Sequence, residues 1–328
     1  MLKLAGKAIV ASPFASSGQR AVLRIRTSDD GLGAYLSVDA NLVSNEDDSS
    51  LLALQARAGS GTAMLSRDFE HLRAGDLVAI NSRTGRFRVI YRKASRHNSF
   101  LVTERCDHYC LMCSQPPKDV DDRWIAAEIL EAIPLISPDT TEIGFTGGEP
   151  TLLGDTFLQI LDACADHLPN TAVHVLSNGR RFADESFAAA WSAVAITDLM
   201  VGIPVYSDVS SIHDYVVQAD GAFDGTLRGI LNLKKYGARV EIRIVLHKQT
   251  IGRITQLAEF IARNLTFVDH VALMGLEITG FTRANLDALW IDPFEYRHAL
   301  THVSTLLTAA GLRVSIYNHP LCIIEREA

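Results

Sequence analysis

From Phe100 onward the chain alternates short apolar runs with amphipathic stretches, and this alternation narrows the fold more than any other feature. Strands separated by helices pair in parallel, because a helical crossover returns the chain to the same end of the sheet. The pattern predicts strands at Ser99 to Thr103, Glu142 to Thr146, Ala172 to Leu176, Asp198 to Val205, Val240 to Leu246, His270 to Leu276 and Leu312 to Tyr317. It predicts helices at Asp121 to Ile133, Asp155 to His167, Phe223 to Tyr236, Ile254 to Leu265 and near Pro293 to Ala309. In the first helix Ile125, Ile129 and Ile133 fall on one stripe beside Trp124, a core stripe that Pro134 ends. In the second, Phe157, Leu158, Leu161 and Cys164 face inward, which makes Cys164 a small core residue. Six or seven such units imply an α/β fold, a barrel or open barrel whose chemistry sits at the carboxyl ends of the strands.

Three polar motifs lie at those ends. After the first strand comes Thr103-Glu104-Arg105-Cys106-Asp107-His108-Tyr109-Cys110-Leu111-Met112-Cys113, with cysteines spaced C-x3-C-x2-C. Three thiolates hold three irons of a [4Fe-4S] cube and leave the fourth iron open, which separates a reactive site from a structural one. A zinc knuckle or a closed cluster is the alternative on spacing alone; either needs a fourth ligand, for which His108, Cys164 and Cys322 are the candidates. After the second strand comes Gly147-Gly148-Glu149-Pro150, where paired glycines allow close backbone approach and Glu149 offers a carboxylate. After the third comes Ser177-Asn178-Gly179, a plain turn or part of the same site. Their convergence on one rim favours a single site.

Residues 1 to 97 differ in texture. Short strand-like runs at Ala21 to Arg26, Asp76 to Ile80 and Arg86 to Tyr91 predict a small β-rich domain ahead of a domain over 98–320 and a tail over 321–328. Ser44 to Ser50 is expected to be an exposed loop. Between Arg83 and Arg96 the charge is strongly positive, and Phe87, Val89 and Tyr91 alternate with Arg86, Arg88 and Arg92. That pattern marks a strand with a basic face, either solvated or serving as a docking edge for an acidic peptide.

With 38 acidic against 31 basic residues the net charge is −7, which disfavours gripping nucleic acid. No apolar run approaches the roughly eighteen residues of a membrane span, and the start, Met1 to Gly6, lacks a secretory core. Five cysteines, three of them crowded, predict metal binding in a reducing cytoplasm rather than a disulfide framework.

Cysteines after the first strand, Gly-Gly-Glu-Pro after the second and Ser-Asn-Gly after the third together resemble the radical S-adenosylmethionine superfamily over roughly residues 98 to 320. Ile212-His213-Asp214, Gly221 to Leu227 and Leu233 to Gly237 look like its peptide-modifying branch. Cys106 to Pro117 and Tyr317-Asn318-His319-Pro320-Leu321-Cys322 are similar to the radical maturase of His-Xaa-Ser peptide systems. The resemblance implies a partial (β/α)6 TIM-like barrel in which Cys106, Cys110 and Cys113 bind a [4Fe-4S] cluster. S-adenosyl-L-methionine would chelate the open iron through its amino and carboxylate groups, and Glu149 would meet its ammonium. Gly147, Gly148 and Pro150 would join Glu149 in binding the cofactor, with Ser177 and Asn178 on the ribose. Met112 stands where the superfamily commonly has an aromatic residue, so the adenine side is packed by a thioether. Pro204-Val205-Tyr206-Ser207 lacks the Asp-Gly of many peptide-modifying relatives.

The implied reaction is hydrogen abstraction from a ribosomally made precursor peptide. The implied partners are that peptide, a partner maturase and a flavodoxin- or ferredoxin-like electron donor, with neither nucleic acid nor membrane. His213 and Asp214 are either a catalytic pair or residues with a helix-start or loop role. The tail carries only Cys322, so auxiliary clusters are lacking or the chain is truncated. A small-molecule radical enzyme and a non-catalytic zinc or iron-sulfur module are the alternatives.

Overall fold

A computed structural model describes residues 4–7, 9–10, 20–27, 34–37, 42–43, 63–64, 69, 71–81 and 84–324. The stretch Ser44 to Ser50 lies outside the described residues. The chain divides into two compact units: Met1–Phe100, Arg123–Gly144 and Ile160–Ala172 in one, and Leu101–Asp122, Phe145–Gln159 and Val173–Ala328 in the other.

Among the described residues the N-terminal part of the first unit forms β1 (Ala5–Lys7), β2 (Ile9–Val10), β3 (Arg20–Thr27), β4 (Ala34–Ser37), β5 (Leu42–Val43), β6 (Ala63–Met64), β7 (Leu77–Asn81) and β8 (Arg86–Tyr91). They form a five-stranded sheet in the order β1-β8-β7-β3-β4 and a three-stranded sheet in the order β2-β6-β5. The alternation seen in the sequence sets the faces of β8: Phe87 and Tyr91 are buried while Arg86 is exposed. Helix α1 (Arg123–Ala132) belongs to this unit and buries Ile125 and Ile129, with Ile133 following in the one-turn helix Ile133–Leu135. Trp124 is 38% exposed, and the Arg88 guanidinium lies 5.5 Å from its ring centroid while pairing with buried Glu128. The docking-edge expectation for the basic strand is therefore corrected. Among the described residues β8 is an inner strand, paired with β1 from Ala5↔Arg88 to Lys7↔Arg86 and with β7 through Ile80↔Phe87, so over Arg86 to Arg88 it has no free backbone edge to offer a peptide.

The large parallel sheet follows chain order, β15-β14-β13-β12-β11-β10-β9. Its strands are β9 (Asn98–Leu101), β10 (Glu142–Thr146), β11 (Ala172–Leu176), β12 (Leu199–Pro204), β13 (Arg239–Leu246), β14 (His270–Gly275) and β15 (Val314–Tyr317). Parallel register runs from Val173↔Leu199 to Leu273↔Ile316, and among the described residues the sheet stays open between β9 and β15. This open, seven-stranded α/β architecture is what the strand and helix alternation implied, and it is consistent with the partial TIM-like barrel that the resemblance implied. The longer helices after β10 are α2 (Asp155–His167), α3 (Glu185–Ser192), α4 (Ser210–Val217), α5 (Ala222–Lys235), α6 (Ile254–Asn264) and α7 (Arg297–Ala309). The last begins later than expected because the Asp292 carboxylate accepts the Phe294 N–H at 2.9 Å and holds a turn there. Cys164 is fully buried in α2, as its helical position implied.

Strand β13 shows how the two faces of this sheet differ. Val240, Ile242 and Ile244 are buried on one face, and Glu241, Arg243 and Val245 alternate onto the other. There Glu241 accepts from Arg243 Nη1 at 2.6 Å, contacts His270 Nδ1 at 2.6 Å and faces His174 Nε2 at 3.5 Å; His270 Nε2 in turn meets Ser315 Oγ at 2.8 Å. The inner face is thus polar and charged below the strand ends.

Candidate functional site

The cysteine loop leaves the sheet at a point held by one buried carboxylate. Asp122 Oδ2 accepts from Thr103 Oγ1 at 2.7 Å and from Glu104 N at 2.6 Å, and its other oxygen lies 3.3 Å from Arg105 Nε. The loop backbone is then tied to the end of α4: Tyr109 N donates to Val217 O at 3.0 Å and Leu111 N to Val216 O at 2.9 Å. Cys113 N closes the turn onto Cys110 O at 3.0 Å.

The two glycines after β10 have a definite partner. Gly148 N donates to Thr103 O and Glu149 N to Arg105 O, both at 2.8 Å. A Cβ on Gly148 would stand 2.0 Å from Arg105 O, and one on Gly147, where φ is +146°, 2.4 Å from Thr103 O. What they approach is the backbone at the root of the cysteine loop, a contact only glycine permits.

Those ties set Glu149, which is 1% exposed. Its Oε1 accepts from Thr151 N at 3.0 Å, Thr151 Oγ1 at 2.6 Å and Ser177 Oγ at 2.8 Å; its Oε2 accepts from Asn178 N at 2.6 Å. Burial pushes the Glu149 carboxyl up, and the bonds from Thr151, Asn178 and Ser177 pull it back. A carboxylate has about four acceptor positions, so Oε2 keeps room for one further donor. Asn178 also donates from Nδ2 to Asp107 Oδ1 at 2.6 Å, which joins the end of β11 to the cysteine loop. The Ser177 and Asn178 side chains are thus committed to Glu149 and to Asp107. Pro150, buried, starts the one-turn helix Pro150–Leu153 and does not line the cavity described next.

The strand ends enclose a cavity of about 390 Å³, within the range of small-molecule sites. Cys106, Cys110 and Cys113 line it together with Gly147, Gly148, Glu149, Ser177 and Asn178, so the three motifs do meet. Met112, 8% exposed, lines it and packs into a cluster with Tyr206, Val216 and Leu289. Burial pushes the Cys106 thiol up to about 12 and raises Cys110 and Cys113 as well, with the neighbouring thiols adding to the rise at Cys110. Thiols crowded in this way become stable thiolates only when something cationic binds them. Both ring nitrogens of His108, 2% exposed, lack a hydrogen-bond partner among the described residues, and His108 also lines the cavity.

Other expected residues lie elsewhere. His213 is buried, takes the Tyr206 N–H on Nδ1 at 3.2 Å and is pushed down to about 4 by burial; Asp214 accepts Gly221 N and Phe223 N at 2.8 Å each, ahead of α5. Neither lines the cavity: Asp214 holds the start of α5, while His213, inside α4, holds the Tyr206 backbone. Cys322 is exposed in the turn Leu321–Ile323. Among the cavity residues that sequence reasoning had given no chemical role are Tyr206, Arg243, Glu277 and Asn318. The polar alternation of β13 could have identified Arg243. Asn318 sits in a left-handed conformation at φ 57° and donates to Glu277 Oε1 at 2.8 Å, a pairing no local pattern announces.

A sequence model of the Radical SAM superfamily matches residues 100–261. Fe-coproporphyrin III synthase of Methanosarcina barkeri (strain Fusaro) is 28% identical over 163 residues, 49% of this chain and 39% of that protein. Among solved structures, Streptococcus suis SuiB bound to S-adenosylmethionine is similar with a TM-score of 0.54 at 16% identity, over 72% of this chain and 52% of SuiB. Native anSMEcpe with bound AdoMet is similar with a TM-score of 0.50 at 19% identity, over 66% of this chain and 62% of that one. The chain therefore spans about half the length of SuiB and less of the curated relative.

Proposed function

We propose, from the premise that residues 100–261 are a Radical SAM superfamily domain, that this chain is an enzyme that takes a hydrogen atom from a ribosomally made precursor peptide. The superfamily uses a [4Fe-4S] cluster and S-adenosylmethionine, which together supply a 5′-deoxyadenosyl radical by one-electron cleavage of the sulfonium. Cys106, Cys110 and Cys113 would hold the cluster, and the free acceptor position on Glu149 Oε2 would take the cofactor's ammonium. Ser177 and Asn178 hold that carboxylate in place, while Gly147 and Gly148 hold the cysteine loop against it. Met112 and Tyr206 give the cavity an apolar wall that excludes water from the reacting groups.

The observation that carries this reading is the meeting of three disulfide-free cysteines and one incompletely bonded buried carboxylate in a single cavity.

A peptide substrate is supported by the fold's likeness to SuiB bound to its precursor peptide SuiA and to anSMEcpe bound to the Cp18Cys peptide. The motif at Tyr317 to Cys322 favours a His-Xaa-Ser peptide in particular. With that reading go a flavodoxin- or ferredoxin-like electron donor, a partner maturase and a cytoplasmic setting; among the described residues no helix is long and apolar enough to cross a membrane.

A second reading, a small-molecule substrate, is favoured by the Fe-coproporphyrin III synthase similarity. The test is 5′-deoxyadenosine formation by reconstituted protein with a His-Xaa-Ser peptide or with an iron tetrapyrrole. The expected result is stimulation by the peptide together with a change in peptide mass. Stimulation by the tetrapyrrole alone would move the assignment to the second reading.

A further inference from the structure

The segment after β14 bears on the site in a way the motifs do not describe. Three consecutive carbonyls of the cysteine loop are held by it: Asn285 Nδ2 donates to Leu111 O at 2.9 Å, Thr282 Oγ1 to Met112 O at 3.2 Å and Phe281 N to Cys113 O at 2.8 Å. The approach is close enough to require glycine at 280, where φ is +51° and a Cβ would stand 2.2 Å from Cys113 O. Phe281, Thr282 and Asn285 do not line the cavity, whereas Met112 and Ser114 do.

In a planar trans peptide the N–H points away from the C=O of the same unit. With Leu111 O and Cys113 O turned to the clamp, the N–H groups of Met112 and Ser114 point to its opposite side, and no described residue accepts from either. The middle unit differs: its carbonyl, Met112 O, is also clamped, but its N–H is already bonded to Cys110 O at 3.0 Å.

We infer that Asn285 is a positioning residue for reduction: by holding Leu111 O it aims the Met112 N–H, with the Ser114 N–H aimed likewise by Phe281, at the sulfur of the group the cysteines bind. This rests on the cluster reading proposed above. Hydrogen bonds to cluster sulfur are among the determinants of reduction potential, because they favour the more negative reduced state. Asn285 thus sets how readily the site is reduced without touching cofactor or substrate.

The test is a redox titration of the reconstituted full chain followed by electron paramagnetic resonance, with iron and sulfide content measured alongside. Asn285→Ala and Asn285→Ser, both too short to reach Leu111 O, are compared with Thr282→Val, which releases a clamped carbonyl whose peptide N–H is already partnered. The expected result is a potential lower in both Asn285 variants, by about tenfold in the reduction equilibrium or about 59 mV for one electron. Thr282→Val should stay near the wild-type value. Equal potentials in all four proteins would overturn the inference, as would equal shifts in Asn285 and Thr282 variants, which would mean a loosened loop. Loss of the cluster from both Asn285 variants in folded protein would also overturn it, leaving a clamp that is structural only. A wild-type chain that binds no [4Fe-4S] cluster would instead be a failure of the underlying functional reading.

Discussion

Replacing Glu149 by glutamine separates its structural work from its binding work. Three donors converge on Oε1 and one on Oε2, so a glutamine with its oxygen in the Oε1 place keeps the bonds from Thr151 and Ser177. Its amide nitrogen then faces the Asn178 N–H, donor against donor, where 2.6 Å now separates acceptor from donor. One unsatisfied pairing at a buried site costs about 1–3 kcal/mol, offset in part because no charge is buried any longer. Urea unfolding of the unliganded chain should therefore show a loss of at most about 3 kcal/mol. Affinity for S-adenosylmethionine should fall as well: a charge-assisted contact with the ammonium is worth roughly 1.5–3 kcal/mol, or about ten- to a hundredfold in Kd. There is a pH signature as well. Because burial raises the Glu149 carboxyl, part of the unliganded population is protonated between the ordinary carboxylate range and the raised value. Binding of an ammonium must release that proton, so wild-type affinity should rise with pH across that window and then level off. Anaerobic equilibrium dialysis of wild type and Glu149→Gln across pH measures both. Unchanged affinity in a folded variant would refute the role given to Oε2.

Other consequences follow from the same contacts. Gly148→Ala sets a Cβ 2.0 Å from the Arg105 carbonyl oxygen and 2.4 Å from its carbon, backbone atoms that cannot swing aside, so unfolding free energy should drop by about 3 kcal/mol; a change under about 0.5 kcal/mol would contradict the close approach. Burial alone would raise the Glu241 carboxyl, but His270, Arg243 and His174 outweigh it and hold it at about 2, against 4.5 for the free group. A depressed acid stabilises the fold above the unfolded value and loses that contribution as pH falls, so Glu241→Gln should cost about 3 kcal/mol near neutrality. That difference from wild type should shrink steadily from pH 4.5 towards 2, and a gap independent of pH would show that packing rather than charge is responsible.

Much of this was legible in the chain. β10 and β11 begin and end where the apolar runs do, because Gly147 and Ser177 break the pattern abruptly. The shared rim of the three motifs followed from parallel topology alone. The purpose of the glycine pair was legible only by half: close approach was implied, but its partner, the backbone of Thr103 and Arg105, carries no side-chain signal. The clamp from Thr282 and Asn285 was hidden for the same reason, since it joins side chains to carbonyls 170 and 174 positions away. The basic face of β8 was correctly seen as a strand face, yet nothing in it foretold that Ala5–Lys7 would cover its edge or that Arg88 would pair with Glu128 on a helix forty positions later. Local patterns set which side of an element is buried, and long-range pairing sets what that side meets.

The most direct test of the central claim is anaerobic reconstitution with iron and sulfide, followed by electron paramagnetic resonance of the reduced protein with and without S-adenosylmethionine. The expected result is a [4Fe-4S] signal that changes when S-adenosylmethionine is added and is absent from Cys110→Ala. A well-folded protein that takes up one zinc and no iron, or a cluster signal indifferent to S-adenosylmethionine, would contradict it.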